Sequence, residues 1–366
     1  MLFSYGCMGQ LFMIILIFCK KMNITYVIIF LLLLIIFVLI VVEKIPDVHK
    51  NTNPEFYSDH SFKIKGVSEQ NAKMGKEIAS SKKIVLCGLC RNIEQILLKN
   101  IEFFESIGEQ FQEYKIILFE NDSEDKTRDI IKQKSIQNPN IILLDCGPEY
   151  PDCKFKIKKL YDYGSFSVNR IKKMASFRNL YLNYIKQNIS DYDYVLMMDM
   201  DIEGYFNMNG LMEVLSKPVW DAVFINGRVD FVLSSMMYDI LAYIKHNDNY
   251  DDYLFENTKQ INWNKNWKYI KNKIQFITDN LYMDKWTPVK SAFNGCGIYK
   301  MDTLLSSDFI GDYKCEWINF HKKASDSGKG NFFIARDWVV YVGFQGPKPI
   351  SVVSNYFKNL FSFGKK

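Results

Sequence analysis

The chain has 366 residues, with 46 Lys+Arg against 41 Asp+Glu, 48% hydrophobic and 24% charged residues. Those fractions suit a folded protein and exclude a wholly disordered chain, a collagen or a disulfide knot. A net charge of +5 over this length is too weak to argue for nucleic acid, and 15% aromatic residues supply a large core with flat rings to spare for stacking.

Taken in chain order, Ile24–Val42 gives the strongest local signal, an apolar run whose only polar-tipped members are Thr25 and Tyr26. At about 1.5 Å per residue, a helix of that length covers the roughly 30 Å hydrocarbon core of a bilayer. Lys20 and Lys21 precede the run, whereas Glu43, Lys44, Asp47 and Lys50 nearly cancel beyond it, and no small-residue cleavage site follows. The pattern predicts an uncleaved signal anchor with residues 1–23 in the cytosol. The C-terminal part is then lumenal, as in a single-pass type II protein of a Golgi- or ER-like compartment. Residues 43–82 are polar and poorly periodic and read as a stem.

From Lys83 onward strands and helices alternate. Strands are expected at Ile84–Leu89, Ile116–Phe119, Ile141–Leu144 and Tyr194–Met198. Asn92 is placed to cap a helix carrying Ile93, Leu97, Ile101 and Phe104 on one face, and Ser123 or Asp125 to start the next. A long helix is expected over Val168–Gln187. This alternation predicts an α/β fold with a mostly parallel sheet flanked by helices and preceded by one transmembrane helix, with chemistry at the carboxyl ends of the strands. The globular domain is expected over residues 83–350, followed by a basic, aromatic tail over 351–366. Cys87 and Cys90 have redox or zinc spacing, but no second such pair follows and both read as strand cysteines. Cys146 and Cys153 are spaced to close a short loop in an oxidising compartment. Trp263, Trp267 and Trp286 either pack a small lobe onto the sheet or line a sugar site.

The chemistry concentrates after the fourth strand. Tyr194-Val-Leu-Met-Met-Asp199-Met-Asp201 carries an apolar strand straight into two carboxylates. Carboxylates at that position suit a hard divalent cation, which can bridge a diphosphate as it leaves; an acidic turn after a core strand is the plainer alternative. Glu120-Asn121-Asp122-Ser123 ends the second strand, where a carboxylate can accept hydrogen bonds from a ribose or base. In the long helix Arg178 shares a stripe with Ile171, Met174, Ala175, Leu182 and Ile185. A guanidinium there must find an anion, either a phosphate or carboxylates of the site. Asn121-Asp122-Ser123 and Asn188-Ile189-Ser190 are also glycosylation sequons, and a glycan on Asn121 would crowd the site.

The order Cys90-Arg91-Asn92, Phe119-Glu120-Asn121-Asp122-Ser123, Phe177-Arg178-Asn179, Met198-Asp199-Met200-Asp201 resembles GT-A-fold glycosyltransferases. More narrowly it resembles the fungal capsule α-1,3-mannosyltransferase family and related virus-encoded glycosyltransferases. The likeness runs over about 83–344 and includes Phe293-Asn294-Gly295-Cys296-Gly297 and Cys315-Glu316-Trp317. It implies a nucleotide-sugar donor (GDP-mannose or a UDP-sugar), a glycan or glycoprotein acceptor, and Mn²⁺ or Mg²⁺. On that likeness Asp199 and Asp201 hold the metal, with His321 as a further ligand. Asp199, Asp122, Glu120, Arg91 and Arg178 meet the donor. Glu316 activates or positions the acceptor, with Asp337 a second acceptor-side acid unless it is salt-bridged; Trp317 stands where the family pattern has His. Two other classes share parts of the pattern: a non-catalytic glycan-binding membrane protein, and a haloacid-dehalogenase-like phosphotransferase. The latter usually carries its Asp-x-Asp on the first core strand, and here three strands precede it.

Overall fold

Runs such as Ile84-Val85-Leu86 and Ile116-Ile117-Leu118-Phe119 leave no exposed face, which is what strands covered by helices on both sides require. The computed structural model describes residues 67–145, 168–202, 206–231, 234–239, 241–250, 284–312 and 314–341, all within one compact unit, Thr52–Lys366. The proposed membrane run, residues 43–66 of the stem, Cys146 and Cys153, Trp263 and Trp267, and the tail lie outside the described residues. No helix among the described residues is long and apolar enough to cross a membrane.

The elements are α1 (Glu69–Ala79), β1 (Lys83–Cys90), α2 (Glu94–Gly108), β2 (Glu113–Glu120), α3 (Thr127–Gln137), β3 (Ile141–Asp145), α4 (Val168–Asn188) and β4 (Tyr194–Asp199). There follow α5 (Met208–Leu215), β5 (Ala222–Phe231), β6 (Ser234–Met237), β7 (Ile244–Lys245), β8 (Trp286–Ser291), β9 (Cys296–Lys300), α6 (Met301–Leu305), α7 (Glu316–Asp326) and β10 (Phe332–Tyr341). The described strands form one sheet in the order β3-β2-β1-β4-β9-β5-β10-β8-β7, with β6 paired to β5.

The first four strands run parallel, as expected, with Leu86 beside Ile116 and Leu89 beside Asp199. Beyond β4 the expectation of a mostly parallel sheet is corrected. Strand β9 lies antiparallel to both β4 and β5, β5 and β10 are parallel, and β8 and β7 reverse again. The sheet is mixed because β9 inserts between two strands that precede it in the chain.

Period-two alternation divides the core between the two faces of the sheet. Val85, Cys87, Ile117, Phe119, Val195 and Met197 meet α4 and α7 on one side. Ile84, Leu86, Cys90, Ile116, Leu118 and Met198 meet α1, α2 and α5 on the other. Each such side chain fully buried is worth about 1.5–3 kcal/mol, so these two layers fix the sheet's helical cover. Cys87 and Cys90 are free thiols in opposite layers, which rules them out as a pair.

The end of the expected stem is instead part of the fold. Helix α1 buries Ala72, Gly75 and Ala79 against α5. A Cβ on Gly75 would stand 1.7 Å from the carbonyl oxygen of Met212, so only glycine permits this approach. Ser68 caps α1 through Asn71 N, and Glu213 on α5 accepts from Asn71 Nδ2 at 3.1 Å.

Candidate functional site

The strand order turns at β1: the chain proceeds outward to β2 and β3, then returns to place β4 on the other side. Open α/β sheets form their crevice at such a switch point, outside the carboxyl ends of the strands. A cleft of about 390 Å³ lies there, between Leu89–Arg91 at the end of β1, Asp199–Asp201 at the end of β4, the first turns of α4 and the start of α7.

The Asp199-Met200-Asp201 turn is built from three sides. Asn100, buried in α2, donates through Nδ2 to the carbonyls of Met200 and Ile202 at 2.9 and 3.0 Å. Gly88 leaves room for Met200, whose Cγ would lie 2.2 Å from a Cβ there. The Asp199 amide donates to Gly295 O at 2.9 Å, and Gly295 is in left-handed backbone at φ 87°. Asp201 is consequently presented outward and exposed, while Asp199 is only partly so.

Arg178 is the charged centre of the inner wall. It is 4% exposed, and its Nη1 donates to Glu316 Oε1 at 2.5 Å while Nη2 lies 3.5 Å from Asp199 Oδ1. Burial disfavours the guanidinium charge, yet Glu316 and Asp199 hold its pKa above the ordinary value. Trp317 gives it a platform, with the guanidinium carbon 4.7 Å from the indole centroid and the indole stacked on Phe293 at 3.9 Å. The two neighbours of Arg178 explain the rest of its motif. Phe177 packs on Phe119 at 5.2 Å, and Asn179 exchanges hydrogen bonds of 2.8 and 2.9 Å with the backbone of Phe309. Arg178 thus answers to carboxylates of the site.

Asp199 is held well above the usual carboxylate range by burial, then by Asp201, with Arg178 opposing and Asp239 and Glu316 adding to the rise. Two crowded carboxylates of this kind fit a divalent cation, whose charge relieves both the burial and the repulsion. Among the described residues no group of three His, Cys, Asp or Glu gathers into a ready-made metal cage. The donor set therefore suits a hard cation that takes one or two carboxylates from protein and completes its shell with phosphate oxygens and water.

The cleft gathers Arg91, Arg178, Asp199, Asp201 and Glu316 of the expected site residues. It does not gather the other four. His321 is fully buried, with Nδ1 2.8 Å from Ser291 Oγ and Nε2 3.0 Å from Tyr299 Oη, so both ring nitrogens are occupied in the core and metal ligation is corrected. Asp337 sits in the bulge of β10 and is paired with Arg336 at 2.9 Å, beside Lys285, which also bridges to Glu213. It lies outside the cleft lining and its salt-bridged reading holds.

Glu120 is fully buried, accepting from Arg128 Nε at 2.5 Å and Ser123 N at 2.7 Å, and so shapes the loop rather than facing a ligand. Asp122 adopts left-handed backbone at φ 54° and is half-buried outside the cleft lining, where its charge acts on Arg128. The loops after β1 and β2 are stitched to each other. Ile93 N donates to Thr127 Oγ1, Glu94 N to Asp125 Oδ2, and Glu124 N to Asn92 Oδ1. Asn92 therefore serves the neighbouring loop and does not cap its own helix. Asn121 is buried and lines the cleft, so the folded chain leaves no room for a glycan there, whereas Asn188 is exposed.

Sequence reasoning missed Asn100, Arg170, Tyr238 and Asp239. A lone Asn on the apolar face of α2 was the available signal for the first; Arg170 falls in the first turn of the expected helix but outside its apolar stripe, and Tyr238 and Asp239 open a stretch with no clear periodicity.

Burial of His321 pushes its pKa down to about 3. A base whose folded-state pKa is depressed binds fewer protons folded than unfolded, so its contribution is complete above the ordinary His range, about pH 6.5, and is lost as pH falls towards the folded value. His321→Gln is expected to flatten the acid side of a urea-denaturation profile between those limits. An unchanged slope would show that His321 is not a neutral core residue.

No protein-family model matches this chain, and no curated protein matches it either. Solved structures similar to it include S. aureus TarS 1–349 in complex with UDP-GlcNAc, at 14% identity and TM-score 0.39, over 74% of this chain and 60% of that one. A second is the mannosyltransferase PcManGT from Pyrobaculum calidifontis in complex with GDP-Man and Mn²⁺, at 11% identity and TM-score 0.41, over 76% of this chain and 64% of that one. A third is glucosyl-3-phosphoglycerate synthase from Mycobacterium tuberculosis with Mn²⁺, UDP and glucosyl-3-phosphoglycerate, at 10% identity and TM-score 0.40, over 81% and 82%. This chain thus spans about 60% of the length of the TarS 1–349 fragment and 36% of the longer TarS chain. At these identities and scores the functional reading rests on the site's own residues.

Proposed function

We propose that the protein is a divalent-cation-dependent glycosyltransferase that moves a hexose from a nucleotide-diphosphate sugar to a glycan hydroxyl. One observation carries the reading: crowded Asp199 and Asp201 at the end of β4 face a cleft at the sheet's switch point, which Arg91 and Arg170 also line. Cations and anions on the walls of one crevice match a metal-diphosphate group, and the apolar lining of Leu89, Ile93 and Met174 leaves room for a base. The sequence resemblance to GT-A-fold glycosyltransferases points the same way. Asp199 and Asp201 would hold Mn²⁺ or Mg²⁺, which when bound stabilises charge on the departing diphosphate.

In this reading Arg178 fixes the position of Asp199 and Glu316 at once and keeps water from the inner wall. Arg91 and Arg170 orient the anionic part of the donor, and the stitched loops after β1 and β2 form the floor for the nucleoside. Ile24–Val42 would anchor the enzyme as a type II membrane protein with a lumenal catalytic domain.

The test is equilibrium unfolding of the full chain in detergent with GDP, UDP, GDP-mannose and UDP-sugars, each with and without Mn²⁺. A ligand specific to the folded state adds about 2.7 kcal/mol at a hundredfold excess over Kd, and one nucleotide is expected to do so only with Mn²⁺. Folded protein indifferent to every nucleotide would overturn the proposal.

A further inference from the structure

The turn that carries Asp201 lies past the end of its strand. The ladders of β4 with β1 and with β9 reach no further than Asp199, so the carbonyls of Met200 and Ile202 stand beyond both. Both residues are buried, and a buried carbonyl needs a donor from somewhere. One side chain supplies both. Asn100 donates through Nδ2 to Met200 O at 2.9 Å and to Ile202 O at 3.0 Å. Those carbonyls flank Asp201, the exposed carboxylate of the pair, so a single amide group brackets the residue that the turn presents.

Asn100 is well placed to hold a turn still. It is fully buried in the middle of α2, a helix whose Leu97, Ile101 and Phe104 are buried as well. An asparagine there forgoes the apolar burial that a leucine would contribute, and spends its two donors on the turn after β4. The first residues of the same helix are tied to the loop after β2, with Ile93 N on Thr127 Oγ1 at 2.9 Å and Glu94 N on Asp125 Oδ2 at 3.0 Å. Ile93 also lines the cleft. Helix α2 therefore begins in the floor of the cleft and grips the Asp-x-Asp turn two turns later. Of the three supports of that turn, Asn100 is the one whose bonds fall on both sides of Asp201. It is not part of the cleft lining, so it acts through the backbone of the turn.

Resting on the metal-dependent glycosyltransferase reading, we infer that Asn100 is a positioning residue that aims Asp201 at the cation and, by stiffening the turn, favours Mg²⁺ over Ca²⁺. Mg²⁺ demands near-ideal octahedral oxygens at about 2.0–2.1 Å, whereas Ca²⁺ accepts irregular shells at about 2.3–2.6 Å. A carboxylate on a loosened turn serves the second ion better than the first.

The experiment uses the full chain in detergent with GDP or UDP and takes Mn²⁺ as the probe, reading free Mn²⁺ by electron paramagnetic resonance and then displacing the bound ion with Mg²⁺ or Ca²⁺. Asn100→Ala is expected to weaken Mn²⁺ binding roughly 10–100-fold, the usual cost of losing a residue that supports a metal ligand. It should cost Mg²⁺ several-fold more affinity than Ca²⁺. The same change strands two buried carbonyls and lowers the thermal midpoint, so a comparison is needed in which stability alone falls. Phe104→Leu, a core substitution one turn further along α2, should lower the midpoint and leave Mn²⁺ affinity and the Mg²⁺/Ca²⁺ ratio at wild type. Asn100→Gln keeps both donors on an arm one methylene longer, is expected to fall between Asn100→Ala and wild type, and carries the test if Asn100→Ala does not fold. Wild-type Mn²⁺ affinity and ion ratio in a folded Asn100 variant would overturn the inference alone, as would an equal loss in Phe104→Leu. Wild-type protein that binds no Mn²⁺ with either nucleotide would overturn the underlying reading, and the inference with it.

Discussion

Arg178→Met is expected to lower the unfolding free energy by about 3–5 kcal/mol, the cost of leaving buried carboxylates without their partner. Methionine matches the aliphatic stem and still packs on Trp317, so the loss reports the charge and not a cavity. Glu316 has only 8% of its side chain exposed and depends on Arg178 for its ion pair, so it bears most of the penalty. In a domain of this size each kcal/mol moves the midpoint by roughly 2–4 °C, which places the thermal shift near 10 °C. Arg178→Met/Glu316→Gln should be more stable than Arg178→Met alone, because the second change removes the stranded charge. That non-additivity is the signature of a shared ion pair. Equal midpoints for wild type and Arg178→Met, measured by calorimetry, would mean that the guanidinium does not organise the inner wall.

The parts of this site that were legible in the sequence share a physical feature. Their position in the chain also sets their direction in space. An apolar strand that runs into Asp199 and Asp201 must deliver them to the sheet's carboxyl edge. Arg178 falls in a buried helical stripe and has to be neutralised there. Both follow from local periodicity. His321 and Asp337 carry the right chemistry near the right motifs, but their side chains are turned into the core or a neighbouring ion-pair cluster by the packing of β8, β9 and β10. Those contacts join residues far apart in sequence, such as Ser291 with His321 and Lys285 with Glu213. The same non-local pairing hid the antiparallel half of the sheet, since nothing in Cys296–Lys300 marks it as the strand inserted beside β4. Helix starts were misplaced for a related reason: Asn92 has the residue type of a cap, but its acceptor is used by the amide of Glu124 across the loop. Asp239 was missed because the residue before it, Tyr238, is seated on Gly295 and Gly227, two glycines whose contacts no periodicity reveals.

Asp199→Asn is expected to separate stability from ligand binding. Burial, and then Asp201, raise the Asp199 carboxyl well above its ordinary value, with Arg178 pulling the other way. An acid raised in the folded state binds more protons folded than unfolded. In the absence of cation the fold therefore loses stability as pH rises from the ordinary Asp range, about pH 4, towards the raised value, and stays at that lower level above it. Asparagine has the same shape, keeps an oxygen facing Arg178 and carries no charge to desolvate. In EDTA near pH 7.5, Asp199→Asn should be at least as stable as wild type, and its urea midpoint should vary less with pH. Mn²⁺ with the matching nucleotide should stabilise wild type and leave Asp199→Asn unmoved, since the substitution removes a charged ligand. Asp201→Asn shares the loss of binding, and because Asp201 is exposed its fold should stay near wild-type stability. For both variants the fall in affinity should exceed the roughly 10–100-fold that loss of a supporting residue costs a metal site. Wild-type nucleotide affinity and metal dependence in Asp201→Asn would remove the carboxylate pair from the metal role. A less stable Asp199→Asn in EDTA would show instead that its pairing with Arg178 outweighs the cost of burying it.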